Sequence, residues 1–269
     1  RYLMRHRHTT PFEMVEFKFH CKMPIFVARQ WVRHRTANIN EYSLRYSEAR
    51  DEFYYPDPKN IEFQSALNMQ GRMGEVPDDL KQKVKDYFKE ISERSFEIYS
   101  ELNDAGVARE LARAILPVNL YTEWYWKNDL HNLLHFIGLR SDSHAQYEIR
   151  VFSDAMAESV KAAAPIAWEA YQDYVIEGLR FSKIEQSLLE KKLPNRVIDD
   201  ISEDLAYQLT ASLHFNKPRD KNDLFLLYQK QGGSDSNEDF NLKWNSGEIQ
   251  IGNVRELREF KEKLVKLKK

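Results

Sequence analysis

The chain lacks the features that mark secreted and membrane proteins. Cys21 is the only cysteine among 269 residues, which excludes an intrachain disulfide and makes a reducing cytosol the simplest compartment. Nothing approaches a run of about eighteen apolar residues, and no signal peptide is visible. The net charge is only −2, so no overall field favours nucleic acid or a membrane surface. These absences predict a cytoplasmic protein.

Several catalytic and cofactor motifs are also missing. The sequence contains no Gly-x-Gly-x-x-Gly fingerprint for dinucleotides and no Gly-x-Ser-x-Gly around a nucleophilic serine. His131 and His135 are four residues apart, as zinc ligands on one helix face would be, but Asn132 stands where a His-Glu-x-x-His motif needs glutamate. Asp129 or His144 is a conceivable third ligand, yet nothing specifies it. We therefore predict no metal site.

The positive charge of the chain is concentrated near its beginning. Residues 1–50 hold ten lysines and arginines against four acidic residues, and four of the eight histidines. Within them, residues 30–47 combine several amides and hydroxyls with Arg33, His34, Arg35, Glu41 and Arg45. A solvated basic helix end would explain the first three of these but not the polar residues that follow. The segment predicts a large anionic ligand with a hydrogen-bonding heterocycle, or two such ligands side by side.

Residues 24–33 are predicted to form a helix, since Pro24 falls in the first turn, where its missing N–H costs nothing. Gln30 and Arg33 are three residues apart, so they share a face of this helix and are placed to hold one ligand. The helical spacing of the apolar residues predicts a buried stripe formed by Ile25, Ala28 and Val32.

The spacing of the cations favours a site with more than one ligand. Arg33 and Arg35 are two residues apart, so on a regular helix they diverge and serve two ligands or reach across a subunit boundary. A helix end and a loop are predicted over residues 36–42, followed by an extended strand that places Ser43 and Arg45 on one side. Ser43 has no base motif beside it, so phosphate binding is its predicted role rather than nucleophilic attack.

The rest of the chain predicts an α+β fold with many helices and few strands. Residues 15–23 alternate apolar and polar side chains and predict a half-buried strand, and a short extended piece is predicted over residues 51–58. The order of these segments does not alternate as in βαβ units. Helices are predicted over residues 78–104, 107–116, 128–139 and 143–181.

Residues 183–269 differ in composition from the rest and are predicted to be a charged extension of unknown role, separate from a core over residues 1–182. A flexible loop is predicted over residues 231–239 and a basic amphipathic helix over residues 254–269. Because the chain opens on Arg1 rather than methionine, an N-terminal segment is expected to be missing.

Four motifs, in order along the chain, resemble those of one known family. They are residues 6–13 (HRHTTPFE), the run Arg33-His34-Arg35 followed after seven residues by Ser43, residues 112–117 (ARAILP), and residues 129–146 (DLHNLLHFIGLRSDSHAQ). Together they resemble flavin-dependent thymidylate synthases over residues 1–180. The resemblance does not reach the C-terminal extension, and it implies that the missing N-terminal segment is a strand and a helix.

This resemblance implies an enzyme that methylates dUMP at C5, with carbon from methylenetetrahydrofolate and hydride from FAD that NADPH reduces. It also implies helices around a small, mostly antiparallel sheet, assembled as a homotetramer. FAD lies between subunits in that family, which accounts for the missing glycine fingerprint. The chemistry needs no protein thiolate, in agreement with a lone Cys21 on a strand.

Residue roles follow from the same resemblance. Arg140 is implied to be catalytic, since its side chain would favour the anionic form of the uracil ring. The implied dUMP-binding residues are Gln30, Trp31, Val32, Arg33, Glu41, Tyr42, Ser43, Leu44, Arg45, Arg113 and Arg140. The implied FAD-binding residues are His8, Thr10, Arg33, His34, Arg35, Glu41, Asp129, Leu130, His131 and His135.

A rival interpretation is a non-enzymatic nucleic-acid-binding module. It would use the basic first fifty residues, with Trp31, Tyr42 and Tyr46 stacking on bases. This interpretation predicts a colourless protein whose ligand affinity falls steeply with salt.

Overall fold

Helices outnumber strands in the computed structural model of the chain, which describes residues 1–66 and 71–192 together with Ser236 and Glu238. The helices are α1 (Tyr2–Arg5), α2 (Thr10–Glu13), α3 (Ile25–Trp31), α4 (Asp78–Asp104), α5 (Arg109–Ala112), α6 (Leu130–Arg140), α7 (Tyr147–Ala163), α8 (Pro165–Tyr171) and α9 (Lys183–Lys192). The strands are β1 (Glu16–Pro24), β2 (Asn38–Glu41), β3 (Glu62–Gln64), β4 (Arg72–Glu75) and β5 (Tyr121–Asp129). The predicted α+β class, with a small antiparallel sheet, is confirmed.

Residues 3–178, together with Arg1, form one compact unit, and α9 belongs to a second. The predicted helix over residues 254–269 lies outside the described residues, as does the predicted loop over 231–239 apart from Ser236 and Glu238. In the part of the chain that the structure describes, no helix is both long and apolar enough to cross a membrane. The boundary at residue 183 stays a prediction.

A three-stranded antiparallel sheet in the order β1-β5-β2 supports the first unit. β5 pairs with β1 along its whole length, from Glu16 opposite Asp129 to Pro24 opposite Tyr121, and β2 adds to its other edge. Because side chains alternate between the faces of a strand, β5 buries Trp124, Trp126 and Asn128 and exposes Tyr125. A separate hairpin pairs β3 with β4.

An aromatic core joins this sheet to two helices. Trp31, at the end of α3, is fully buried and stacks on Phe136 of α6 with ring centroids 4.9 Å apart. Trp124 and Trp126 of β5 meet the same indole edge-on, at 5.6 and 5.3 Å. Such aromatic contacts add to the free energy gained from burial alone. They fix the end of α3 against α6 and thereby position the segment that follows Trp31.

A second, smaller core holds the turn that contains Ser43. Leu44 packs against buried residues of the loop that follows it and of α4, α5 and the chain before β5; these are Ala49, Phe53, Tyr99, Ala112 and Leu120. The hydroxyl of Tyr99 accepts a hydrogen bond from the backbone N–H of Ala49 at 2.9 Å. This cluster positions the turn independently of the aromatic core.

The predicted helix over residues 24–33 is shorter than expected. Pro24 is its extended N-cap, and the regular helix ends at Trp31. The predicted buried stripe was wrong in part, since Val32 falls in the turn after the helix and is 44% exposed. The buried residues of this helix are instead Val27, Ala28 and Trp31, which lie on a neighbouring face.

The extended strand predicted for Ser43 and Arg45 was also wrong. These residues lie in a turn, in which the backbone N–H groups of Tyr46 and Ser47 donate to the carbonyl of Ser43 at 3.2 and 3.1 Å. The strand lies earlier in the sequence, as β2 (Asn38–Glu41), where a loop was predicted. The predicted extended piece over residues 51–58 is reduced to a single bridge between Phe53 and Leu120.

Three helix predictions need correction, whereas α4 has the predicted bounds. The helix predicted over 107–116 ends as a short 3-10 helix, Arg113–Ile115. The helix predicted over 128–139 begins later, because β5 runs through Asp129. The helix predicted over 143–181 begins at Tyr147 and breaks at Ala164, because proline at 165 cannot donate a helical hydrogen bond.

The burial pattern of α6 makes a testable prediction about stability. Leu133 is fully buried and Leu139, on the same helix, is 51% exposed. Leu133→Ala is expected to lower the free energy of unfolding by about 2–5 kcal/mol, because it leaves a cavity in the aromatic core. Leu139→Ala is the matched control and should change it far less. Urea unfolding measures both, and equal losses would contradict this packing.

Candidate functional site

Arg140 and His34 are joined by a hydrogen bond between two of the predicted motifs. Arg140 is the last residue of α6, and its Nε donates to Nε2 of His34 at 3.0 Å. Because the Nε of arginine always carries a hydrogen, Nε2 of His34 must be the acceptor. The imidazole is therefore neutral, with its proton on Nδ1.

The surroundings of His34 keep it neutral. Burial, the positive charge of Arg140 and the nearby His135 together lower the pKa of His34 to about 4, and burial is the largest of these causes. The ring lies edge-on to Phe136, with centroids 4.9 Å apart, and 6.2 Å from the ring of His135. Burial also lowers the pKa of Arg140, but an arginine stays charged at neutral pH. The pair therefore carries one positive charge.

The terminal nitrogens of Arg140 remain available to a ligand. Across residues 1–66 and 71–192, its two NH₂ groups make no hydrogen bond or ion pair. The same holds for the exposed side chains of Arg33 and Arg35, which follow the end of α3. Since the helix stops at Trp31, the predicted divergence of Arg33 and Arg35 on a regular helix does not apply. Cations without an internal partner suit an anionic ligand.

A second group of predicted nucleotide-binding residues gathers at the turn over residues 43–47. The Oγ of Ser43 accepts from the backbone N–H of Arg45 at 3.4 Å. Arg45 forms an exposed ion pair with Glu110 of α5 at 3.2 Å. Arg113, half-buried, begins the 3-10 helix directly after α5. Leu44 turns inward, into the second core.

Two further predicted dUMP ligands make contacts close to this turn. The carboxylate of Glu41 accepts from the hydroxyl of Thr122 at 2.7 Å. The hydroxyl of Tyr42 donates to the carbonyl of Glu48 at 3.1 Å.

Two predicted ligand-binding residues have side chains in the core. Trp31 is fully buried and Leu130 is 2% exposed, so neither side chain can meet a ligand on the surface of this chain. The backbone N–H of Leu130 is also occupied, since it donates to the carbonyl of Val15 at 2.8 Å. Burial of Trp31 also removes one of the three stacking residues that the nucleic-acid interpretation required.

The other predicted flavin ligands surround α6. Asp129 is the N-cap of α6 and accepts from the backbone and side-chain nitrogens of Asn132 at 2.9 and 2.8 Å. His131 and His135 are exposed on the same helix, and α2, which begins at Thr10, packs against it. His8 is exposed just before α2. No group of three or more metal-type side chains occurs among the described residues.

The structure adds two residues that the sequence analysis did not select. Gln146 contacts Gln30 of α3 and also donates to Glu148 at 2.8 Å. Glu148 is buried in the first turn of α7. Both line a cleft of about 720 Å³ with mostly apolar walls. Gln146 lay within the last quoted motif, but nothing local in the sequence connects it to Gln30.

Neither candidate nucleophile is activated. Cys21 is buried in β1, and burial raises the pKa of its thiol to about 12, so it carries no thiolate at neutral pH. The hydroxyl of Ser43 accepts a backbone hydrogen bond and has no histidine or carboxylate partner among the described residues. The arrangement offers fixed cations and neutral donors rather than a covalent catalyst.

Comparison with known proteins identifies the family. The family model described as thymidylate synthase complementing protein matches residues 1–166. A flavin-dependent thymidylate synthase of Rickettsia conorii is 47% identical over 217 residues, which cover 76% of this chain and 74% of the relative. The chain belongs to the flavin-dependent thymidylate synthase family.

Two further comparisons agree with this assignment. A flavin-dependent thymidylate synthase of Ehrlichia ruminantium (strain Gardel) is 54% identical over 190 residues, or 71% of this chain. The matched part spans 64% of that relative's length. The crystal structure of a UMP/dUMP methylase, PolB from Streptomyces cacaoi bound with 5-Br UMP, is 36% identical with a TM-score of 0.60. It covers 63% of this chain and 79% of PolB.

The neutral state of His34 predicts how the stability of this family member changes with pH. Between its unfolded pKa of 6.5 and its folded pKa of about 4, the unfolded chain binds a proton that the folded chain does not. The stability that neutral His34 contributes is therefore fully present above pH 6.5 and is lost as the pH falls toward 4. His34→Gln should lose less free energy of unfolding than the wild type between pH 7.5 and 4.5.

Urea unfolding at both pH values measures this difference. His144→Gln, which removes an exposed histidine, controls for the loss of a histidine as such. A His34→Gln protein with the same pH dependence as the wild type would contradict the neutral assignment.

Proposed function

We propose that this chain catalyses the reductive methylation of dUMP to dTMP. Methylenetetrahydrofolate provides the carbon, and FAD, reduced by NADPH, carries the hydride. The observation that carries the proposal is the hydrogen bond from Arg140 to a neutral His34, close in sequence to Arg33 and Arg35, which have no partner among the described residues. The relatives named flavin-dependent thymidylate synthases and the UMP/dUMP methylase neighbour support the same reaction.

In this proposal, dUMP contacts both the residues around Arg140 and His34 and the turn over residues 43–47. Ser43 and Arg45 bind the phosphate, since a turn with a hydroxyl and a cation suits an anion. Gln30, Arg33 and Arg113 complete the binding of the nucleotide. The exposed pair between Arg45 and Glu110 is worth little, so a phosphate can replace it.

The residues around α6 fit FAD by the chemistry of their donors. Arg33 and Arg35 are exposed cations that pair with no other residue in the part of the chain that the structure describes, and two such cations suit a diphosphate. Thr10, Asp129, His131 and His135 offer hydroxyl, carboxylate and imidazole groups around the helix. When bound, FAD supplies the hydride that converts the transferred carbon to a methyl group.

Arg140 is proposed to stabilise the charge that develops on uracil. The C5 atom must become electron-rich before it attacks the one-carbon unit, which places negative charge on the N3 and carbonyl edge. The Nε of Arg140 is held by His34, so the planar pair of NH₂ groups is oriented before the substrate binds. A neutral His34 matters because a second cation would repel Arg140. Buried Cys21 supports a route without a protein thiolate.

We also propose that the enzyme is a cytoplasmic homotetramer whose sites are shared between chains. The predicted dUMP ligands divide between two separate core clusters, with Trp31 in one and Leu44 packed against the other. A ligand bound between subunits would contact one cluster's residues from one chain and the other cluster's residues from its neighbour. Closed assemblies of identical chains are commonly symmetric.

Bound flavin is the first test of this function. The purified protein is expected to be yellow, with an oxidised-flavin spectrum that bleaches when NADPH is added. Heating should release FAD into the supernatant. A colourless protein that does not take up added FAD, and whose ligand affinity falls steeply with salt, would instead match the nucleic-acid-binding alternative.

Removal of Arg140 tests the mechanism. Arg140→Ala should lower the rate of tritium release from 5-tritiated dUMP by on the order of 10²–10³, the usual effect of losing a preorganised donor. Arg140→Lys should restore little of this rate, because an ammonium group cannot match the planar N3 and carbonyl edge of uracil. Arg94→Ala, at an exposed arginine of α4, is the control. An Arg140→Ala enzyme with full FAD content and near wild-type release would remove Arg140 from the mechanism.

A further inference from the structure

Glu148 is a buried carboxylate whose hydrogen bonds come from three different parts of the chain. Its side chain is only 4% exposed. Nη2 of Arg72 donates to both of its oxygens, at 2.6 and 2.9 Å. The hydroxyl of Tyr54 donates at 2.8 Å, and the side-chain amide of Gln146 donates at 2.8 Å. Each oxygen therefore has two donors.

The carboxylate of Glu148 is ionised in this setting. Burial by itself would raise the pKa of Glu148, but the hydrogen bonds from Arg72, Tyr54 and Gln146 outweigh it and hold the pKa below its usual value. An ionised carboxylate can only accept hydrogen bonds. This property fixes the orientation of the groups around it.

The fixed orientation extends from Glu148 to Gln30. Because Glu148 only accepts, Gln146 must turn its NH₂ group toward Glu148. Its Oε1 then faces Gln30, and Gln30 must offer its own Nε2 to that oxygen. The amide orientation of Gln30 is therefore set by a carboxylate with which it has no direct hydrogen bond. Gln30 keeps its carbonyl oxygen and one N–H for a ligand.

We propose that Glu148 is a positioning residue for the nucleotide site, acting through Gln146 on Gln30. The inference rests on the proposed function, in which Gln30 binds dUMP. A free glutamine side chain has several rotatable bonds and two amide orientations, so ordering it at binding costs entropy. Glu148 orders it beforehand. The expected consequence is tighter binding of dUMP with little effect on the chemical step, since the proposed role of Gln30 is to bind the nucleotide.

A purely structural role for Glu148 predicts a different result. Arg72 lies on β4 and Tyr54 precedes the β3–β4 hairpin, so Glu148 also ties this region to α7. If that were its only role, the affinity for dUMP would follow the thermal stability of each variant. The two roles are separated by variants that break the network on opposite sides of Glu148.

The test compares three single variants as holoenzymes. Gln146→Met removes the link to Gln30 but leaves Arg72 and Tyr54 on Glu148. Glu148→Gln removes the charge that orients the link. Tyr54→Phe, the matched control, removes one hydrogen bond on the far side of Glu148 and leaves the link intact. Each is assayed for KM and kcat with dUMP, for dUMP binding by calorimetry, and for Tm.

The proposal predicts a split between KM and kcat. Gln146→Met and Glu148→Gln should each raise the KM for dUMP by up to about tenfold, because Gln30 then loses its conformational entropy only when dUMP binds. Their kcat should stay within about twofold of the wild type. The double variant should be no worse than either single variant, because both break the same chain of contacts. Tyr54→Phe should leave KM unchanged even if Tm falls.

The possible failures are distinguishable. A wild-type enzyme that turns over dUMP, with an unchanged KM in Gln146→Met, would overturn the positioning role and leave the proposed function standing. A KM that follows Tm across all three variants would also overturn it. If Glu148→Gln does not fold, Gln146→Met still decides the question. A flavin-loaded wild type that neither binds nor methylates dUMP would overturn the proposed function and this inference with it.

Discussion

The stacking of Trp31 on Phe136 is the contact on which the Arg140 and His34 half of the candidate site depends. Trp31 ends α3, Phe136 lies within α6, and Trp124 and Trp126 close around them from β5. Because all four rings are buried and closely packed, the end of α3 has one position against α6. The short segment after α3 is thereby held beside the last turn of α6. His34 reaches Arg140 for this reason.

The positive charge of Arg72 is neutralised by a carboxylate of the chain, whereas that of Arg140 is not neutralised by any described residue. Arg72 faces the ionised Glu148, so its positive charge is neutralised within the chain. Arg140 faces the neutral His34, and the described residues provide it with no carboxylate. An arginine paired inside the protein has little charge to offer a ligand, whereas an unpaired one favours an anion strongly. This contrast is the reason that we propose a catalytic role for Arg140 and a supporting role for Arg72.

The two core clusters divide the predicted nucleotide site into separately supported halves. The aromatic core positions Gln30 and Arg140, and the second core positions the turn with Ser43 and Arg45. Each half presents surface cations that have few or weak partners within residues 1–66 and 71–192. A site built from such halves needs no glycine-rich loop to bind phosphates, because side-chain cations replace the backbone N–H groups of that loop. This accounts for the absence of the dinucleotide fingerprint from this member of the family.

The sequence by itself determined the features that depend on neighbouring residues. Periodicity located α4 with its observed bounds and β1 within one residue at each end, and ordered motifs identified the family. β2 and β5 were missed, because their pairing joins distant segments and is not encoded in either strand alone. Only the tertiary structure decided that Arg140 is held by a neutral His34, 106 residues away, and that Gln30 meets Gln146, 116 residues away. Such contacts, and the protonation states they impose, depend on burial, which no local pattern contains.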